Sequence, residues 1–456
     1  MGGLEDRVGD KPQKTGAPTA GRLALSDRTA TWVVIGLILA GAALRLLWTL
    51  NGHLAPINSE AFFIARALAE GRGFAEAFGL GTGPTAHLMP TTPLPAALVY
   101  TLMGVGSPAA ELTLTLWAVG CVGGSIFAGE RVMRELGVGA WARIGGVAAA
   151  SLTPIQLGLE SSAFRVWEGA LAALLLLTTL LICLRLDKRD EIGWKPLLGL
   201  GALNGLVFLV SPAAAIATSG VIGLLFLRRV HPFRWPAPVL VAIAIVAAVL
   251  VPWGLRNEAV LGKFVPLRTG SGISMALAYH EGRVRTDDIQ ADDLKRFREV
   301  SPLMGEAARR HYLDVGEVEF NRELNLEARA WREAHPEDVW KIRARNLVEF
   351  YAPPAWLWTR FTSDRGSGVE MRRLLVAASA LAGFLTLVAV LAARQWRWLY
   401  VTAALVLPSL PYIAVYPLLR YRYLVSTLLI LVAAYGAVTL ITWARDRIRP
   451  GVARST

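Results

Sequence analysis

Apolar residues in this chain gather into runs of about 15 to 20 that carry almost no charge, as bilayer-crossing helices require. The first run covers residues 32–50. We predict nine further spans, at 112–128, 144–159, 169–184, two within 196–228 broken at Ser211-Pro212, 236–253, 374–392, 399–416 and 424–442. The pattern therefore predicts an all-α, polytopic membrane protein with about ten transmembrane helices.

The distribution of lysine and arginine predicts the orientation. With the N-terminus in the cytoplasm, the segments assigned to the inside carry 21 of these residues and the short outside segments carry five. This is the bias that the positive-inside rule describes, so we expect both termini inside and residues 51–110 and 254–373 outside. The apolar stretch 93–103 is too short to span and is predicted to lie along the interface.

The expected organisation has five parts. They are a cytoplasmic tail (1–31), a transmembrane module (32–253) that includes the outer loop 51–110, an extracytoplasmic helical domain (254–373), C-terminal transmembrane helices (374–443) and a second cytoplasmic tail (444–456). The first span is expected to be a retained signal anchor. In the outer domain, Ser301-Pro302 predicts the start of a helix. The apolar spacing of residues 314–334 predicts one helix, and His335-Pro336 predicts the start of the next.

Composition narrows the class of protein. Of 456 residues, 54% are hydrophobic and 18% are charged, against about 25% charged in soluble domains. These values exclude a soluble enzyme. The net charge of +12 is attributed to loops facing anionic lipid and not to nucleic-acid binding. Both cysteines lie in apolar runs and the histidines lack ligand spacing, so we expect no disulfide, metal or other cofactor, although acids alone could hold a divalent cation.

Glu60 is the first candidate for chemistry. It follows the first span directly, begins a segment with helical apolar spacing, and is the only acid in the loop before Glu70. A carboxylate held there against the membrane could act as a base on a lipid-borne substrate. The alternative is a helix N-terminal charge stabilised by the helix dipole.

Several other charged residues have two interpretations. Arg420 and Arg422, in a very short outside loop, and Arg256, after a mid-chain span, could bind phosphate or could extend to the membrane interface. Arg45 lies inside the first span and is expected to reach the interface or to pair with an outer-loop acid.

Three loop residues complete the candidate set. Glu168 is expected to cap the fourth span and pair with Arg165, with acceptor binding as the alternative, and Glu160 flanks the same loop. His87 could hydrogen-bond phosphate or acceptor, or be structural.

Several short motifs resemble a known family. The outer loop contains Ile64-Ala65-Arg66, Gly71, Gly73-Phe74, Gly83-Pro84-Thr85-Ala86-His87, Pro90 and Pro93, and later come Pro252-Trp253, Arg256-Asn257, Phe264-Val265-Pro266, His335-Pro336 and Arg420-Tyr421-Arg422-Tyr423. In this order they resemble GT-C glycosyltransferases, in particular the bacterial protein-mannosyltransferase and aminoarabinose-transferase branch. The resemblance covers most of the chain.

The resemblance implies an enzyme that moves a sugar from a polyprenyl-phosphate donor to a lipid, glycan or protein acceptor, with inversion, at the outer face of a bacterial inner membrane. In this family an acid of the first loop, usually Asp, acts on the acceptor. By register that position falls on Ile57, or on Asn58 or Ser59, and Glu60 is the nearest acid. A lipid transporter or flippase and a non-catalytic membrane scaffold are the alternatives.

Overall fold

The computed structural model describes residues 25–153, 157–284, 288–359 and 367–448, so most of the two expected tails lies outside the described residues. Within these ranges the chain is helical, and its only β pairing is an isolated bridge between Ala75 and Pro84. The fold class expected from the hydrophobic pattern, an all-α polytopic membrane protein, is confirmed.

The first ten α-helices of the described residues are α1 (Asp27–Leu50), α2 (Glu60–Ala69), α3 (Leu94–Met103), α4 (Pro108–Glu135), α5 (Ala140–Leu152), α6 (Leu157–Ser161), α7 (Gly169–Leu186), α8 (Trp194–Val210), α9 (Pro212–Arg229) and α10 (Pro236–Leu261). Ten more follow: α11 (Ser271–Ala278), α12 (Ile289–Val300), α13 (Glu306–Val315), α14 (Glu317–Ala334), α15 (Pro336–Tyr351), α16 (Ala355–Thr359), α17 (Ser367–Ala392), α18 (Trp398–Val406), α19 (Leu410–Ala414) and α20 (Leu419–Ile448).

Seven helices of the described residues are long and apolar enough to cross a membrane, namely α1, α4, α7, α9, α10, α17 and α20. The other three expected spans are shorter helices. The span expected at 144–159 is α5, which ends at Leu152, and then α6, with residues 154–156 outside the described residues. The span expected at 399–416 is divided between α18 and α19, and α8 ends where Ser211 caps α9.

Two apolar cores hold the helices together. One joins α1, α4, α7, α9, α17 and α20 with α5, α8 and α18. Between α8 and α10 a small residue allows close packing, because a Cβ on Gly201 would clash with the Pro238 carbonyl oxygen. The second core packs α2, α3 and residues 74–89 against the end of α10 and helices α11–α15. The first loop and helices α11–α15 therefore form one packed unit.

Two expectations for the outer helices are wrong in detail. Ser301 does not begin a helix: it is the C-cap of α12, and the next helix starts at Glu306. The single helix expected over 314–334 is interrupted at Gly316, whose φ of +83° is a left-handed value that ends α13 before α14 starts. His335-Pro336 does start α15, which reaches Tyr351.

Candidate active site

Glu60 occupies the first turn of α2, where Ser59 caps the helix by accepting a hydrogen bond from the Phe62 amide. Ala61, Ile64 and Ala65 of this helix are fully buried in the second core. This packing fixes the direction of α2, and with it the partly buried side chain of Glu60 at the helix N-terminus.

The glycine-rich loop after α2 brings His87 to the same place. Five glycines between 71 and 83 have positive φ values of 74° to 98°, which are readily adopted only without a side chain. The ring of His87 packs edge-on against Phe78 at 4.8 Å. Gly270 passes so near that a Cβ there would lie 2.9 Å from His87 Cε1.

Arg420, in the first turn of α20, is held between aromatic rings. Its guanidinium carbon lies 3.9 Å from the centre of the Trp167 ring and 5.2 Å from that of Tyr421. Tyr421 in turn stacks on Tyr412 at 4.3 Å, and Tyr412 stacks on Phe350 of α15 at 5.7 Å. This stack fixes the plane of the guanidinium group without neutralising its charge.

Glu168 directly precedes α7, next to Trp167. Burial raises the pKa of its carboxyl group, while its own backbone, Arg420, Arg268 and the Thr92 hydroxyl act in the opposite direction. A small pocket lies against Glu168 and is otherwise mainly apolar, with walls that include Thr92, Pro95, Trp117, Trp167 and Val210.

These side chains come from distant parts of the sequence but act on one another. Glu60 and Glu168 both interact electrostatically with Arg420, and Glu60 also interacts with His87. Arg268, an exposed residue between α10 and α11, interacts with His87 and Glu168. We call these five residues the acid–arginine cluster.

Three polar atoms of the cluster are buried and lack a hydrogen-bond partner among the described residues: His87 Nδ1, Glu168 Oε2 and Arg420 Nε. Native proteins pair nearly all buried polar atoms, so three unpaired atoms in one place indicate hydrogen-bonding capacity that a polar ligand could use. Burial also lowers the pKa of His87, which favours a neutral imidazole at neutral pH.

Two of the expected phosphate-binding arginines are engaged elsewhere. Arg256 donates to the carbonyl oxygens of Thr85 (2.7 Å) and Phe74 (2.6 Å), so it ties down the glycine-rich loop. Arg422 is 2% exposed and donates to Ser426 and to the carbonyl oxygens of Tyr351 and Val376 inside the helix bundle. The structure brings Glu60, His87, Glu168 and Arg420 together, and it leaves Arg256 and Arg422 out.

Glu160 is also committed elsewhere. It forms a buried ion pair with Arg45 at 2.6 Å, as expected for an arginine inside the first span. The expected pair between Glu168 and Arg165 is wrong, because Arg165 pairs with Glu111 on α4 at 3.0 Å. The short helical turn at Ala163–Arg165 directs Arg165 into the bundle.

Arg268, Trp167 and Tyr412 were missed by reasoning from the sequence. Arg268 lies two residues after the Phe264-Val265-Pro266 motif, and that adjacency was a usable signal. No signal distinguishes Trp167 or Tyr412 from the other aromatic residues near the ends of spans, because their role depends on which side chain packs beside them.

Comparison with solved structures identifies the class of fold. The archaeal oligosaccharyltransferase AglB of Archaeoglobus fulgidus aligns with 94% of this chain, at 13% identity and a TM-score of 0.52 in its apo form. The values for its complex with an inhibitory peptide and a dolichol-phosphate are 12% identity and a TM-score of 0.50. This chain spans about half of that protein, since 53% of AglB is covered.

ArnT of Cupriavidus metallidurans bound to undecaprenyl phosphate aligns with 92% of this chain and 80% of its own length, at 12% identity and a TM-score of 0.37. No protein-family profile and no curated protein matches the sequence. At these identities the likeness concerns the fold alone: this chain shares the fold of the part of AglB with which it aligns.

Proposed function

We propose that this protein is a membrane glycosyltransferase that moves a hexosyl or pentosyl group from a polyprenyl-phosphate donor to a lipid, glycan or protein acceptor. The observation that carries the proposal is the acid–arginine cluster, in which two carboxylates, a neutral imidazole and two guanidinium groups interact, and three of these groups carry a buried polar atom without a partner among the described residues. The shared fold supports it.

In this reaction Glu60 is the base. The acceptor hydroxyl or amine loses its proton to the Glu60 carboxylate as its oxygen or nitrogen bonds to the anomeric carbon of the sugar. The bond from that carbon to the phosphate oxygen breaks, and the electron pair leaves with the polyprenyl phosphate. Attack opposite the leaving group inverts the anomeric configuration.

Arg420 and Arg268 stabilise the departing phosphate. A guanidinium group matches the geometry of phosphate, and one fixed beforehand needs no reorganisation when charge develops. The stack of Trp167, Tyr421 and Tyr412 supports this role because it holds the guanidinium in place. His87 then orients the acceptor or the phosphate, and Glu168 orients the acceptor, through their unpaired atoms.

The lipid part of the donor is proposed to approach the cluster along the surface beside Glu168. The small pocket there has mainly apolar walls, and Trp117 belongs to the candidate membrane span α4 and is 45% exposed. An isoprenoid chain lying against this surface would bring its phosphate to the cluster from within the bilayer. We place the cluster at the outer face of a bacterial inner membrane, with both termini in the cytoplasm, as the distribution of basic residues predicts.

The decisive experiment replaces Glu60 with Gln and measures transfer from a panel of radiolabelled polyprenyl-phosphate sugars in membranes containing the full chain. Loss of a general base lowers the rate by about 10²- to 10⁴-fold. The matched control is Glu70→Gln, because Glu70 ends the same helix but pairs with Arg66 and Arg72 at the surface.

Transfer by the Glu60→Gln protein at the rate of the parent, with equal expression, would remove Glu60 from the role. If no protein of the set releases polyprenyl phosphate, but labelled lipid crosses the bilayer of reconstituted vesicles, the transporter alternative holds. If neither reaction occurs, the scaffold alternative holds.

A further inference from the structure

A buried carboxylate outside the acid–arginine cluster connects the two chain segments that carry His87 and Arg268. Glu317, the first residue of α14, is 4% exposed. It accepts hydrogen bonds from the Ala86 amide at 2.7 Å, the Tyr312 hydroxyl at 2.8 Å, and the hydroxyls of Thr85 and Thr269. All four donors are neutral, so the carboxylate is held as an acceptor without an ion pair in this group.

The positions of the hydrogen-bond donors in the sequence show which segments Glu317 holds. Thr85 and Ala86 directly precede His87, and Thr269 directly follows Arg268. The Thr269 amide also donates to the Ala86 carbonyl oxygen at 2.9 Å, so the two segments are bonded to each other as well. One side chain of the outer helices therefore fixes the backbone on both sides of the junction that carries His87 and Arg268.

The packing leaves little freedom at this junction. The His87 amide donates to the Thr85 hydroxyl oxygen at 3.0 Å, and Arg256 holds the Thr85 carbonyl from the other side. Gly270 lies against the His87 ring, where even one added carbon would be too close. A shift of the Thr85–Ala86 backbone would therefore move the imidazole.

We infer that Glu317 is a positioning residue that holds His87 and Arg268 toward Arg420. The inference rests on the proposed function, because it gives these two residues a task in the transfer reaction. Glu317 acts through them and touches no substrate. An error of about 1 Å in the position of a reacting or binding group can lower a rate by about 10²-fold, so this anchor contributes to catalysis from a distance.

The first test is Glu317→Gln, in which an amide donor replaces one acceptor oxygen and faces groups that are themselves donors. The matched control is Glu319→Gln, because Glu319 lies in the same helical turn and bonds only to exposed Arg322 in the described residues. Amide hydrogen exchange is measured on the full chain in detergent. Faster exchange in residues 82–90 and 266–272 is expected for Glu317→Gln, but not for Glu319→Gln.

The second measurement tests the link to catalysis. We expect Glu317→Gln to lower kcat/KM for the donor about tenfold to a hundredfold. In a His87→Ala background the same substitution should have a much smaller effect, because residues that act through one another are not additive. Equal factors in both backgrounds would overturn the inference.

A second pair of variants covers the case in which Glu317→Gln does not fold. Thr85→Val removes the hydroxyl that connects Glu317 to the His87 amide, and Tyr312→Phe removes a bond to the same carboxylate on the side of the outer helices. The inference requires a greater loss of transfer from Thr85→Val. If no protein of the set transfers sugar, the proposed function fails, while the exchange data still decide whether Glu317 anchors the two segments.

Discussion

Glu160 and Glu168 lie in the same short segment between α5 and α7, but their surroundings differ. Glu160 faces Arg45, whose remaining donors bond to the carbonyl oxygens of Gly41 and Ser151, so both charged groups have partners within the protein. Glu168 lies near two guanidinium groups, and one of its oxygens has no partner in the described structure.

The difference separates charge that maintains the fold from charge that is available to a ligand. In the Arg45–Glu160 region the protein itself satisfies the ions, and removing either one leaves the other unpaired. In the acid–arginine cluster three buried polar atoms have no partner among the described residues, and one of them belongs to Glu168, so a substrate could complete their bonding. Substitutions in the Arg45–Glu160 region should therefore lower stability, and substitutions in the acid–arginine cluster should lower the rate of transfer.

The largest effect is expected from Arg45→Met. It leaves Glu160 buried opposite an apolar side chain, and breaking a buried pair in this way costs about 3–5 kcal/mol. The melting temperature in detergent should fall sharply, while the protein that remains folded keeps its rate of transfer. The control is the double variant Arg45→Met/Glu160→Gln, which should recover stability because no lone charge remains. A single variant as stable as the parent would show that the pair contributes little.

The next effect compares two neighbouring arginines. Arg420→Gln should lower transfer about 10²-fold, the size reported for losing one preorganised donor to a developing charge, with little change in melting temperature. Arg422→Gln should lower the melting temperature and leave transfer almost unchanged, because the donors of Arg422 bond to groups inside the helix bundle. The rate of transfer, the Michaelis constant for the donor lipid and the melting temperature of each variant test this difference between the two arginines. Loss of transfer from Arg422→Gln at unchanged stability would contradict this division.

A smaller effect is expected from Glu168→Gln. The substitution removes a carboxylate whose charged form burial disfavours, so stability should stay the same or rise slightly. Transfer should fall about tenfold, equivalent to about 1.4 kcal/mol, if one charged contact to a substrate is lost. Glu160→Gln serves as the comparison and should destabilise the protein instead. A Glu168 variant that loses stability but transfers sugar at the full rate would contradict a role of Glu168 in binding substrate.

The smallest effect concerns pH. The pKa of His87 is lowered from 6.5 mainly by burial and also by Arg268 and Arg420, while Glu60 and Glu317 act to raise it. As pH falls below 6.5 the unfolded chain binds the proton first, so the stability contributed by neutral His87 is lost as pH approaches its lower folded-state pKa. The change is at most about 1.4 kcal/mol per pH unit for one group.

Melting temperatures of the parent and of His87→Gln, compared between about pH 7.5 and about pH 5.5, measure this contribution. The parent should lose more stability on acidification than the variant. Identical losses would mean that His87 titrates with the same pKa in the folded and unfolded states.

Much of the fold could be predicted because the hydrophobic runs report directly on length in a bilayer. Every expected span corresponds to helical structure, and the helix at Leu94–Met103 is present as well. The errors fall where one or two residues change the backbone, as at Gly316, or where a Ser-Pro pair ends one helix rather than starting the next, as at Ser301. Such ends depend on packing between helices, which a linear pattern does not contain.

The sequence by itself determined the membrane-spanning class, the first loop with its acid, and a set of arginines that were candidates for binding phosphate. Only the tertiary structure decided which arginine is available. Arg420 and Arg422 belong to the same helical turn, and the rotation of that turn directs one to an aromatic stack and the other to carbonyl oxygens within the bundle. The physical reason is that the function of a charged group depends on the partners around it, and helices far apart in sequence supply those partners.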